Sequence, residues 1–148
     1  MLALALIAAG EPGWGQPRPA PSETLERAAA MLQAREFEQA SDTLRRLLSV
    51  DPANRRAKEM LAFALESMGD LEEEHRVRAG LAAEFPNDAH IQTDYGKGAG
   101  ALGDEGAALR AYRRARQLSA DGSAPQLDAA IERMRGRTTM EVGTPCSR

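Results

Sequence analysis

The sequence has little of what most catalytic and metal-binding sites are built from. It contains one cysteine, Cys146, and two histidines, His75 and His90, in 148 residues. A single cysteine excludes an intrachain disulfide framework, and these three side chains match no recognised zinc-ligand spacing. Because no serine or cysteine is placed near a histidine as a nucleophile and base would be, we expect no enzymatic activity, no metal and no cofactor.

Aromatic residues are also scarce, at 4%, although the hydrophobic fraction is 43%. Alanine, leucine and arginine carry much of the sequence, which favours close-packed helices over a sheet. The net charge is only −3 with both signs mixed along the chain, so no long-range field attracts nucleic acid or anionic lipid. We expect the densest basic stretches to be solvated outer faces of helices rather than a nucleic-acid surface: Arg113, Arg114, Arg116, Arg133, Arg135 and Arg137.

The amino terminus begins with a signal-like apolar segment, residues 1–10, followed by a Pro/Gly-rich linker, residues 11–21. The apolar run is too short for a stable membrane span but suits the hydrophobic part of a secretory signal cut after Gly10. No basic residue precedes the run, although a secretory signal usually has one there. Two interpretations therefore stay open. The protein is either exported and periplasmic, or it is cytoplasmic with an apolar helix that docks on the domain.

The main positive feature is a repeated pattern whose period is the spacing of Pro52 and Pro86. A period of about 34 residues in a helical sequence indicates stacked helix pairs, which form a binding surface and do not require catalysis. Small or large apolar residues recur in register: Ala28, Phe37, Ala40 and Leu47 in the first period, Ala62, Leu71 and Leu81 in the second, and Gly96, Ala108, Tyr112 and Ala115 in the third.

Apolar spacing and turn residues predict seven helices. Ser22 and Asp51 are predicted as N-caps. The organisation that follows is three repeats over 22–122, a capping helix over 123–136 and a flexible tail over 137–148, in which Thr138 to Val142 looks weakly strand-like. The predicted helices cover about 22–34, 37–49, 54–68, 71–85, 89–102, 105–118 and 125–135.

These residues resemble the tetratricopeptide repeat, a helix-turn-helix unit with small residues where its helices cross. The resemblance implies an all-α fold: a right-handed α-solenoid of three helix-turn-helix units plus a C-terminal capping helix, acting as a protein-interaction scaffold. It is carried by Ala28, Ala62, Gly96 and Ala130 at the small position of the first helix, Ala40 and Ala108 at that of the second, Gly69 and Gly103 at the turn, Phe37 and Leu71 after it, and Tyr112 near the end.

The resemblance also implies that the first helix of each repeat lines a concave groove that binds a protein or peptide. Phe63 is then either an aromatic contact for a mixed apolar and charged segment or a residue that packs on the next repeat. The clamp with which some relatives hold chaperone carboxylates is absent, since its positions here are Leu25, Ala29, Met60, His90 and Asp94. The predicted partner-binding residues are Arg56, Glu59, Phe63, Glu66, His90, Thr93 and Lys97, and Leu25, Ala29 and Leu32 face the groove in the first repeat.

Two charged residues break the repeat pattern, since Glu74 and Arg78 stand where it has apolar residues. A slightly rotated helix would turn both outward, with their stems along the surface. The alternative is a polar contact point for a partner or a neighbouring subunit.

Two other motifs have a structural explanation. The run from Glu72 to His75 is predicted to be a solvated helix start, because consecutive helical residues point in different directions. The G-x-G-x-x-G motif from Gly98 to Gly103 lies inside a repeat helix and its turn, with no strand before it, so nucleotide binding is not expected.

Two functions from different classes fit this sequence. The first is a non-enzymatic scaffold that holds a partner in the groove. The second is a periplasmic helical module of an outer-membrane export or assembly system, acting by docking or self-association. A catalytic function would require a cofactor bound to the purified protein.

Overall fold

The computed structural model describes residues 20–119 and 125–141, with side chains described as far as residue 136. These residues form seven helices and no strand, and each helix begins within one residue of its predicted start. The helices are α1 (Pro21–Gln33), α2 (Phe37–Val50), α3 (Arg55–Met68), α4 (Leu71–Glu84), α5 (Ala89–Ala101), α6 (Glu105–Leu118) and α7 (Pro125–Glu141).

The helices stack in chain order, each packing on the next from α1 to α7. Short turns join α1 to α2, α3 to α4 and α5 to α6, which makes three antiparallel pairs. The helix α7 packs on α6 and covers that end of the stack. This arrangement confirms three helical repeats followed by a capping helix.

The repeat period is visible in the caps that begin the helices. Asn54 and Asp88 cap α3 and α5, the first helices of their pairs, and Asp70 and Asp104 cap α4 and α6. In each case a side-chain oxygen accepts a hydrogen bond from a backbone N–H in the first turn, at 2.9 to 3.2 Å. Each cap is worth about 1 kcal/mol, so repetition fixes where every helix of the second and third pairs begins.

The turns within the pairs share a left-handed backbone conformation. Gly69 and Gly103 adopt it with φ of 80° and 81°, as the repeat pattern requires of a turn glycine. Arg35, one repeat period before Gly69, adopts it with φ of 62°. The first turn therefore bears a steric cost that the other two avoid, because a side chain in this region clashes with the following carbonyl.

We expect Arg35→Gly to raise the free energy of unfolding by about 0.5 to 1 kcal/mol, because relief of the left-handed strain outweighs the added freedom of the unfolded chain. Urea unfolding measures the change. A matched control is Arg27→Gly, an exposed site inside α1, where glycine costs about 1 kcal/mol. Equal destabilisation by both substitutions would contradict the explanation.

Small residues let the helices cross closely. Adding a Cβ to Gly96 would place it 2.8 Å from the ring of Tyr112, a buried residue of α6. Only glycine leaves room for that ring. The other small positions named from the repeat pattern are buried as well: Ala28, Ala40, Ala62, Ala108 and Ala130.

Both predicted N-caps at the beginning of the chain's first two repeats are wrong. Ser22 lies inside α1, which begins at Pro21 after Ala20. The side chain of Glu23 instead accepts a hydrogen bond from the Ala20 N–H at 3.3 Å. Asp51 ends α2, and its carboxylate accepts a hydrogen bond at 2.9 Å from the side chain of Asn54, the residue that caps α3.

The C-terminal helix is longer than predicted. Ala130, Ile131 and Met134 are buried in the cluster formed with α5 and α6, and α7 then continues to Glu141. The predicted boundary between capping helix and tail at residue 136 is therefore wrong, and so is the strand-like interpretation of residues 138–141. Residues 1–19 and 142–148, where the apolar segment, most of the linker and the rest of the tail fall, lie outside the described residues.

Within the described part of the chain, no helix combines the length and hydrophobicity needed to cross a membrane.

Candidate binding groove

The predicted groove residues lie on α3 and α5, the first helices of the second and third pairs. Thr93 is half-buried, and its hydroxyl donates to the Ala89 carbonyl oxygen at 2.7 Å. The other six are exposed. Partner binding by this surface stays a prediction. We call the surface formed by all seven the α3–α5 groove: Arg56, Glu59, Phe63, Glu66, His90, Thr93 and Lys97.

Phe63 is the exposed aromatic of this groove. Its side chain is 50% exposed, and its ring lies edge-on to that of Phe37, with centroids 6.3 Å apart and planes at 75°. This ring contact is with α2 of the preceding repeat, and packing on the next repeat stays the alternative prediction. An edge-to-face contact fixes the ring while leaving one face accessible.

The charged pair in α4 is buried, so its predicted outward orientation is wrong. Glu74 is 2% exposed and Arg78 is 9% exposed. Helix α4 therefore packs in register with the repeat, and the two side chains replace an apolar pair of the core. Their i, i+4 spacing places the guanidinium against the carboxylate. A buried carboxylate needs such a partner, because desolvation of an unpaired charge costs several kcal/mol.

Arg78 also connects three helices beneath the groove. Its Nη2 lies 2.6 Å from Glu66 Oε2 on α3, and its Nη1 lies 3.5 Å from Asp94 Oδ2 on α5. Asp94 in turn accepts from Lys97 Nζ at 2.9 Å and contacts His90 Nδ1 at 3.1 Å. The predicted residues Glu66 and Lys97 thus belong to one ion-pair network, and His90 contacts a carboxylate of that network.

Sequence reasoning does not identify Arg78 and Asp94 as the centre of that network. The repeat pattern presents Asp94 only as a position of the missing clamp, and Arg78 only as a misplaced charge. The signal that the sequence does hold is spacing: His90, Asp94 and Lys97 lie four and three residues apart, so one helix face carries a carboxylate between two basic groups.

Burial raises the pKa of Glu74 above its ordinary value, and the charge of Arg78 opposes that rise. The Oε2 atom of Glu74 has no hydrogen-bond partner among the described residues. It faces the backbone of Gly98 on α5, where an added Cβ would lie only 2.8 Å from it. The absence of a side chain at Gly98 therefore makes room for the carboxylate.

A small crevice of about 40 Å³ opens beside the network. Its walls combine apolar side chains of α3, α4 and α5 with two carboxylates and the guanidinium of Arg78. The lining residues are Glu59, Ala62, Arg78, Leu81, Ile91 and Asp94.

The side chains of the acidic run from Glu72 to His75 point in different directions, as the helical spacing predicts. Glu73 pairs with Arg45 at 2.7 Å, and the ring of His75 stacks on Tyr95 with centroids 5.3 Å apart. Because these residues contact other helices, the interpretation as a merely solvated helix start is wrong. Among the described residues no group of three or more His, Cys, Asp or Glu side chains is arranged to hold a metal ion.

The stacked pairs and their exposed groove define a helical-repeat solenoid. No family model and no curated protein matches this sequence. Solved structures do match. MamA (residues 41 to the end) from Desulfovibrio magneticus RS-1 has a TM-score of 0.72 at 15% identity, over 81% of this chain and 67% of that one. The Sgt2 TPR domain from Aspergillus fumigatus has a TM-score of 0.71 at 18% identity, over 89% of both chains.

PcrH, which is from Pseudomonas aeruginosa, matches in a structure solved in complex with the chaperone binding region of PopB. Its TM-score is 0.63 at 20% identity, over 78% of this chain and 92% of that one. The chain spans about two thirds of the length of MamA chains, 67% in one structure and 64% in another. At these identities the likeness shows the fold, so the predicted tetratricopeptide-repeat solenoid is confirmed.

Proposed function

We propose that the chain is a non-enzymatic scaffold that binds a partner peptide or helix in the α3–α5 groove. The observation that carries the proposal is Phe63, a half-exposed ring held edge-on against Phe37. An exposed aromatic whose position is already fixed loses little conformational entropy on binding, which is what an interface anchor requires.

The network beside Phe63 indicates the chemistry of the partner. Arg78 pairs with Glu66 and Asp94, and Asp94 pairs with Lys97, which places charges of both signs across α3 and α5. Fixed charges of both signs select by complementarity and penalise a partner with the wrong pattern. The preferred partner segment therefore has an apolar residue for Phe63, flanked by charges of both signs.

The fold is compatible with binding of a protein segment, since PcrH, with the same architecture, has been solved with a segment of PopB. Peptide and helix recognition in grooves is a general mode of helical proteins. The identity of the partner of this chain follows from its own exposed side chains and not from the shared fold.

The test compares partner capture by the wild type with capture by the double variant Phe63→Ala and Arg56→Glu. Both side chains are exposed, and that of Arg56 makes no ion pair within the described residues. We expect the partner's affinity to fall by at least about 30-fold, equivalent to about 2 kcal/mol for loss of an anchor. The dissociation constant is measured by titration calorimetry on the captured partner.

The matched control is Leu102→Ala with Arg113→Glu, which also truncates an exposed apolar residue and reverses one exposed charge, at sites outside the groove. It should bind as the wild type does. If the groove variant binds the partner as tightly as the wild type does, the partner does not bind in the groove. Equal losses of affinity in the groove variant and the control variant would contradict the proposal in the same way.

Export is a second part of the proposal, and it rests on the apolar segment at residues 1–10. The mass of the protein isolated from cells tests it. A mature chain that starts at Glu11 supports a periplasmic scaffold, whereas a chain that retains Met1 to Gly10 contradicts removal of a signal.

A further inference from the structure

The crevice between α3, α4 and α5 has an apolar floor and an acidic mouth. Its floor is formed by Ala62, Leu81 and Ile91, which are 2% to 5% exposed. The side chains of Glu59 and Asp94 also line it, and they are 43% and 28% exposed, so both carboxylates are accessible from the α3–α5 groove. Its volume of about 40 Å³ takes about three groups the size of a water molecule. The crevice therefore admits the end of one unbranched side chain.

The ion pairs around the crevice contain more carboxylates than cations. Arg78 lines the crevice too, but Glu66 and Glu74 both contact its guanidinium, so its charge is matched. His90 adds a positive charge beside Asp94 only when it is protonated. Even with Glu74 protonated, four carboxylates share three cations, and a further cation is needed for balance. The carboxylates are Glu59, Glu66, Glu74, Asp88 and Asp94, and the cations are Arg55, Arg78 and Lys97.

We propose that the crevice receives the ammonium end of a lysine side chain of the partner. The unbranched stem packs on Leu81 and Ile91, and the ammonium group donates hydrogen bonds to the carboxylates of Glu59 and Asp94. An ammonium group is a compact charge with three donors, so it can contact carboxylates on two helices at once. An acidic side chain would add to the excess of negative charge, and an apolar one would desolvate both carboxylates without giving them a donor.

The position of the crevice beside Phe63 defines the spacing of the partner's residues. Glu59 and Phe63 lie four residues apart on α3 and are both exposed, which separates them by a rise of about 6 Å. Residues i and i+4 of a helix have the same separation, and residues i and i+2 of an extended segment lie about 6.6 Å apart. The partner segment therefore carries an apolar residue for Phe63 and a lysine at one of these spacings from it.

This inference rests on the proposed function, because the lysine belongs to the segment that binds in the α3–α5 groove, but the two can fail separately. If a lysine probe binds the crevice while the variant Phe63→Ala with Arg56→Glu keeps the affinity of the wild type for the partner, only the proposed function is contradicted. If that variant loses the partner and the lysine probe does not bind, only the lysine inference is contradicted.

Nuclear magnetic resonance titration of the full chain with a single-residue probe tests the crevice directly. The probe is N-acetyl-lysine methylamide, and the matched probes are the norleucine and glutamate analogues. We expect the lysine probe to shift the methyl signals of Ala62, Leu81 and Ile91 until they saturate. The norleucine analogue has a similar stem without the charge and should bind at least about tenfold more weakly. The glutamate analogue should leave these signals unchanged.

Glu59→Gln should weaken binding of the lysine probe at least about fivefold, because one of its two carboxylate acceptors loses its charge. Glu84→Gln is the matched control, since it also removes an exposed carboxylate from an ion pair, that with Lys58, outside the crevice. It should bind the probe as the wild type does. Asp94→Asn is the second crevice variant, and circular dichroism confirms that each variant is folded. Equal affinity for the lysine and norleucine probes overturns the inference, as does wild-type affinity for the lysine probe in both folded crevice variants.

Discussion

Arg78→Met is expected to lower the free energy of unfolding by about 3 to 5 kcal/mol, the usual cost of leaving one member of a buried ion pair without its partner. Glu74 is 2% exposed and has no other cation in contact among the described residues, so its charge would remain in the core uncompensated. Methionine keeps an unbranched aliphatic side chain at this buried position, so the substitution removes mainly the charge. Urea unfolding at neutral pH measures the loss.

Two comparisons separate this charge effect from general damage to α4. Arg76→Met removes an exposed arginine of the same helix and should change stability by less than about 0.5 kcal/mol. The double variant Glu74→Leu and Arg78→Met replaces both charges with apolar groups and should recover most of the loss. A loss below about 1 kcal/mol in Arg78→Met alone would show that Glu74 is solvated or protonated in the folded protein.

The contribution of Glu74 to the free energy of unfolding should decrease as the pH rises. Because burial raises the folded pKa of Glu74, its contribution to stability is greatest below the ordinary glutamate pKa of about 4.3 and is lost as pH rises through the raised value. The stability of the wild type relative to Glu74→Gln should therefore fall with rising pH over that window. In Arg78→Met the opposing charge is gone, so the pKa of Glu74 rises further and its destabilisation shrinks as the pH is lowered.

Gly98→Ala is expected to destabilise the wild type by about 1 to 2 kcal/mol, although alanine normally stabilises a helix by about 1 kcal/mol relative to glycine. The added Cβ would lie 2.8 Å and 3.0 Å from the two carboxylate oxygens of Glu74, which Arg78 holds in place. The carboxylate must then shift and weaken its ion pair. Thermal and urea unfolding both report the change.

In a Glu74→Ala background, Gly98→Ala should stabilise the protein instead of destabilising it. With the carboxylate gone, Arg78 keeps Glu66 and Asp94 as partners, and alanine at position 98 then raises stability by about 0.5 to 1 kcal/mol. Gly80→Ala, where an added Cβ meets no atom within 4 Å, is the control and should stabilise in both backgrounds. Destabilisation by Gly98→Ala in both backgrounds would locate its cost outside the contact with Glu74.

The sequence predicted the helices of the second and third repeats well because their ends are set by local groups that recur in both. Asn54 and Asp88 cap equivalent helices, and Gly69 and Gly103 make equivalent turns. The first repeat lacks these signals. The caps predicted at Ser22 for α1 and at Asp51 for α3 are not those that the structure has. The left-handed turn at Arg35 was not predicted either, since its conformation follows from the helices it joins.

The candidate site was predicted only in outline. The positions of Phe63 and Lys97 on the exposed faces of α3 and α5 follow from helical phase, which the repeat pattern determines. The ion-pair network centred on Arg78 does not follow from it, because its members come from three helices and Glu66 and Asp94 are distant along the chain.

The sequence by itself therefore determined the architecture of this protein: the repeat period, the caps and turns that realise it, and the small residues that let the helices cross. These are local properties, read from neighbours along the chain. Only the tertiary structure decided that Glu74 lies in the core, since an i, i+4 pair is equally compatible with a solvated helix face. The deciding partner was Gly98 on another helix, whose missing side chain leaves the space that the buried carboxylate occupies.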